Sequence, residues 1–133
     1  MEKGFLLPPV TKKVTQQKIN KYEQASKDFN PLHLDEDFAR NTIFKGTVAH
    51  GLLSVAYISE MMTNWLGTNW LEGGELDVTF LKPVRPGDTI TAGGKVIDCV
   101  IEGSAKKFIC EVYCINQRGE MVIKGMANCW INQ

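Results

Sequence analysis

The sequence has no excess of charge of either sign: fifteen Lys and Arg face fifteen Asp and Glu. A pI near 6.7 follows. That balance argues against the clustered basic surface by which proteins hold nucleic acid or anionic membranes. Long hydrophobic runs are also missing. The longest, Leu52 to Leu66, is broken by Ser54, Ser59, Glu60, Thr63 and Asn64, so it does not read as a membrane span. Near the start, only Phe5-Leu6-Leu7 forms an apolar block before Pro8-Pro9, too short for an export signal. Cytoplasmic residence is the resulting expectation. Cys99, Cys110, Cys114 and Cys129 form no C-x-x-C pair, and none lies close in sequence to His33 or His50. Zinc is not expected on that spacing, and reduced thiols packed in strands are. No cofactor is implied.

What remains is one domain of 133 residues, enough for a real core. Lys12 to Thr15 reads as a short strand or extended lead-in. A helix is predicted over Gln16 to Ser26, with Thr15 as N-cap and Ile19, Tyr22 and Ala25 at helical spacing. A loop covers Lys27 to Leu34, and Asp35 caps a brief helix through Arg40. Residues 51 to 66 form a central helix that Gly67 stops. This helix is apolar nearly all round, so it should be buried nearly all round. The wrapping comes from the second half. Leu76 to Leu81, Thr89 to Glu102, Lys106 to Asn116 and Glu120 to Ile131 are rich in β-branched and aromatic residues, with turn signals between them. Short links make antiparallel neighbours. The expectation is an α+β domain, a curved antiparallel sheet wrapped around one long central helix.

The chemistry concentrates in Asp28-Phe29-Asn30-Pro31-Leu32-His33. A carboxylate and an imidazole flank a proline that forbids a continuous helix, so both side chains belong to an irregular loop where they can converge. Such a pair accepts one proton and donates another without metal or cofactor. His33 has a reference pKa of about 6.5, close to operating pH, while Asp28, at about 3.9, needs burial to become an efficient base. Ala49-His50-Gly51 then opens the central helix, where free backbone N–H groups favour an anion.

The ordered pattern Tyr22, Ser26-x-Asp28-x-Asn30-Pro31-x-His33, Phe44-x-Gly46, Ala49-His50-Gly51 and Phe80-Leu81-Lys82-Pro83-Val84-Arg85-Pro86-Gly87-Asp88 resembles the MaoC-like dehydratases. That family includes the (R)-specific enoyl-CoA hydratases, and the likeness runs from about residue 12 to residue 131. It departs at one point: the family usually has glycine before the aspartate, and here stands Lys27. The resemblance implies a hot-dog fold, a homodimer or higher homo-oligomer formed through the sheet edge, and an acyl-CoA thioester substrate. The implied reaction is reversible addition of water to a trans-2-enoyl-CoA, giving a (3R)-3-hydroxyacyl-CoA.

By that resemblance Asp28 and His33 share the proton transfers, and the Gly51 N–H binds the thioester oxyanion. Asn30 either orients the loop or the water, or forms an Asx-turn ahead of the proline. His50 either contacts substrate or fills the turn at the helix start. Ser59 matches a family position lining the pocket; as a helical serine it can equally bond back to the preceding turn. Lys45, Lys82 and Arg85 are candidates for the CoA phosphates, and Trp65, Trp70, Met61 and Met62 are either tunnel wall or core. Two other readings stand beside hydration. One is a hot-dog acyl-CoA thioesterase using Glu60, the only acid in the central helix. The other is a non-catalytic acyl-thioester-binding subunit, against which the presence of both Asp28 and His33 argues.

Overall fold

The computed structural model describes residues 3–27, 35–42, 49 and 51–132. Strand β1 (Val10–Lys13) leads into helix α1 (Gln16–Ser26), and a short helix α2 (Glu36–Arg40) follows. The long helix α3 (Gly51–Leu66) and a short α4 (Thr68–Gly73) come next. Strands β2 (Gly74–Phe80), β3 (Thr89–Glu102), β4 (Ala105–Ile115) and β5 (Met121–Asn132) complete the order. All pairings are antiparallel, in the spatial order β1-β3-β4-β5-β2.

Period-two alternation decides which face is covered. Phe108, Cys110, Val112 and Cys114 of β4 point inward with Ile90, Ala92 and Val96 of β3 and Ile123, Ala127 and Cys129 of β5. Against them lie Ile58, Met61 and Met62 of α3, all fully buried. The result is the expected α+β hot-dog arrangement. Strand limits match the prediction within two residues, and β3 matches residue for residue. All four cysteines carry free thiols, with Cys110, Cys114 and Cys129 buried in strands.

Four details differ from the sequence reading. On α1 the buried residues are Ile19 and Glu23, with Tyr22 half-buried, while Ala25 faces solvent. The helix therefore packs along an i, i+4 stripe rather than the one the apolar residues trace. Gly67 does end α3, at a φ of 60°, but a further turn of helix follows at once because Trp70 is buried against the sheet. Residues 4–7 add an unforeseen strap along β3, with the Gly4 N–H donating to Val96 O and the Leu7 N–H to Gly94 O. Finally, α3 is not covered all round: Leu52 is 61% exposed and Ala56 also faces solvent in this single chain.

Candidate active site

Asp28, Asn30, His33 and His50 lie outside the described residues, as does Lys45. The described segments that flank them are the end of α1, residues 35–42, Ala49 and the start of α3. Thr15 caps α1 as expected, its Oγ1 accepting from the Lys18 N–H at 3.1 Å. At the other end, the Lys27 N–H donates to Glu23 O at 2.7 Å, and Lys27 adopts φ 60°, ψ 28°. This left-handed C-cap turns the chain sharply out of the helix immediately before Asp28. Among the described residues it is the one non-glycine position with positive φ. A glycine here would take the same conformation without strain, which gives a physical reason for the residue the resemblance leads one to expect.

Gly51 is the first residue of α3. A Cβ on it would lie 2.8 Å from a ring carbon of Phe80, so a side chain here would require that exposed ring to move aside. Two residues earlier, the Ala49 N–H donates to Val84 O at 2.6 Å, fixing the approach to the helix against the 83–88 turn. The first-turn N–H groups of α3 have no carbonyl of their own helix to bind, and they make the anion-favouring end that the proposed reaction needs.

Ser59 does not bond back to its own helix. Its Oγ accepts from Trp70 Nε1 at 2.8 Å, reaching across from α3 to α4. Trp70 is buried and covers Gly74, where any side chain would collide with the indole. The sequence reading did not pair these residues. The signal was an aromatic carrying a polar group just past a helix stop, since a buried indole N–H has to find an acceptor. Met61 and Met62 belong to the core, and Trp65 sits between Phe5 and Phe108 with ring centroids 5.7 and 4.9 Å away.

The remaining charged candidates are engaged. Glu60 Oε1 stands 3.1 Å from Lys12 Nζ, tying α3 to β1. Lys82 Nζ lies 2.8 Å from Glu120 Oε2. Hydrogen bonds from Lys82, Asn116 and Arg118 hold the Glu120 carboxyl down at about 2. Arg85 is half-buried in the 83–88 turn. Tyr57 carries the one buried side-chain polar atom without a hydrogen-bond partner among the described residues, its Oη. Burial first, then Cys114 and Glu60, push its phenol pKa up, so it stays a protonated donor. No group of His, Cys, Asp and Glu suited to a metal ion occurs among the described residues. No helix among them is long and apolar enough to cross a membrane.

Residues 5–113 match the MaoC-like domain family. An (R)-specific enoyl-CoA hydratase of Rhodospirillum rubrum is 36% identical over 126 residues, 92% of this chain and 83% of that protein. Among solved structures, the (R)-hydratase of Aeromonas caviae involved in PHA biosynthesis superposes with a TM-score of 0.84 at 26% identity, covering 97% of this chain and 96% of that one. An R-hydratase of Pseudomonas aeruginosa, in its unliganded form, gives 0.83 at 27% identity, over 97% of this chain and 81% of that one.

Proposed function

The chain belongs to the MaoC-like domain family, and from that membership we propose that it is an (R)-specific enoyl-CoA hydratase, a single hot-dog domain that adds water reversibly to trans-2-enoyl-CoA. The observation that carries this reading is the 36% identity to an (R)-specific enoyl-CoA hydratase across 92% of the chain. The Asp28-Phe29-Asn30-Pro31-Leu32-His33 segment supports it with the acid and base that such a reaction requires.

The mechanism follows from atom balance. The oxygen of water bonds to C3, one of its protons leaves to the Asp28/His33 pair, and a proton from that pair reaches C2. The C2–C3 π bond is consumed, and the intervening negative charge rests on the thioester oxygen. Gly51 receives that charge at the start of α3, where an unpaired N–H and the helix dipole favour an anion. With acid and base side by side, the water oxygen and the proton for C2 reach the same face of the double bond, and the face presented to them sets the configuration at C3. Asn30 and His50 orient the loop, the water or the substrate, and Ser59 lines the pocket.

Hydrolysis by Glu60 is the weaker reading, because that carboxylate is occupied by Lys12 and leaves the Asp/His loop without a role. A second copy of the chain completes the assembly. Strand β2 pairs only with β5 among the described strands, and Phe80, Leu81 and Leu52 are exposed apolar groups near its end. An open edge with apolar neighbours favours pairing with a twin. The zero net charge fits a protein without nucleic-acid or membrane-surface partners. Asp28→Asn and His33→Ala should each lower turnover of crotonyl-CoA about 100-fold or more with the fold intact. Near-normal rates in either folded variant reject the assignment.

A further inference from the structure

Asp88 is buried yet takes no part in the chemistry just described. Its Oδ2 accepts from the Arg85 N–H at 2.9 Å, and its Oδ1 accepts from Gln117 Nε2 at 2.9 Å. Its main chain adds two bonds: the Asp88 N–H donates to Arg85 O at 3.0 Å, and the Val14 N–H donates to Asp88 O at 2.7 Å. One residue therefore ties together the lead-in to α1, the 83–88 turn and the turn between β4 and β5. The first of these elements leads into α1, which Lys27 caps next to Asp28. The second grips Ala49 through Val84 O, two residues before Gly51.

A carboxylate suits this junction because it only accepts. Both donors aimed at it are fixed. The Arg85 donor is backbone, and Gln117 cannot turn its amide round because its Oε1 already accepts from the Thr89 N–H at 3.0 Å. An amide at position 88 would satisfy one donor and meet the other with a second donor.

We propose that Asp88 is a positioning residue for the start of α3, fixing through the 83–88 turn where the Gly51 N–H stands. The proposal rests on the reading of Gly51 as the oxyanion donor. A misplaced donor weakens its hold on the developing oxyanion far more than on the neutral ground-state thioester. Loss of Asp88 therefore lowers turnover while leaving substrate binding nearly unchanged.

The test compares wild type, Asp88→Asn and the double variant Asp88→Asn/Gln117→Glu, using amide hydrogen exchange and crotonyl-CoA kinetics. In the single variant, the Ala49 amide should exchange about tenfold faster. Its kcat should fall about 10- to 100-fold, with KM within about twofold. The double variant should recover both. Its introduced carboxylate accepts from the introduced amide and from the Thr89 N–H, while the amide oxygen serves the Arg85 N–H. Unchanged Ala49 exchange, unchanged kcat in a folded Asp88→Asn protein, or a double variant as impaired as the single overturns the proposal. A wild type inert to every enoyl-CoA overturns the hydratase function and the oxyanion role with it. The Ala49 exchange then decides the bracing by Asp88 on its own.

Discussion

Replacing Lys27 by glycine should make this protein more stable without harming it. Lys27 holds φ 60°, ψ 28° at the end of α1, with its side chain exposed. A left-handed conformation costs a residue with a Cβ about 1–2 kcal/mol. Glycine escapes that cost but loses more backbone freedom on folding, an offset of about 0.5–1 kcal/mol. The cap hydrogen bond from the residue-27 N–H to Glu23 O is backbone and survives the change. The net gain is about 0.5–1 kcal/mol, which for a domain of this size raises Tm by about 2–4 °C. Paired thermal melts of wild type and Lys27→Gly decide the matter, with crotonyl-CoA turnover expected to stay within about twofold because glycine keeps the same backbone conformation at position 27. A Tm unchanged or lowered refutes the left-handed assignment. A retained Tm gain with lost turnover shows that the lysine charge matters at the site.

Other predictions follow from single contacts. Tyr57→Phe removes a buried hydroxyl that has no partner and should be neutral or stabilising by up to about 1 kcal/mol in a denaturant titration. Trp70→Phe removes the donor to Ser59 Oγ and should cost about 1–2 kcal/mol by the same assay. Burial pushes the thiols of Cys110 and Cys114 up to about 12, from about 9 in the unfolded chain. The unfolded state therefore releases these protons first, so stability is complete below about pH 9 and declines between pH 9 and 12. Iodoacetamide at pH 8 should label neither cysteine until the protein is unfolded. Glu60→Gln breaks the pair with Lys12 but should leave turnover within about twofold, whereas a thioesterase relying on that carboxylate would lose activity.

Much of the fold was legible because the strongest signals are periodic. Long strands rich in β-branched residues and a sixteen-residue apolar helix leave few ways to bury both. The stops were legible too, Gly67 and the turn residues between strands having no other good use. What escaped detection depended on tertiary contact. The buried face of α1 passes through Glu23 rather than Ala25, which helical spacing of apolar residues alone cannot reveal. Helix α4 exists because Trp70 finds both a surface over Gly74 and an acceptor on Ser59, facts of packing rather than local preference. Leu52 and Ala56 stay open because a single chain does not cover α3 on every side. At the site, Gly51 was legible as a helix start, while its oxyanion role came only as an implication of the family resemblance. The brace at Asp88 was not legible, since its partners lie at positions 14, 85 and 117.

Incubating the purified protein with crotonyl-CoA tests the central claim most directly. The account predicts loss of the conjugated-thioester absorbance without release of free CoA thiol, and a product that is the (3R)-3-hydroxy ester on chiral analysis. Release of thiol, a 3S product, or an absorbance that stays constant with this and longer enoyl-CoA substrates contradicts it.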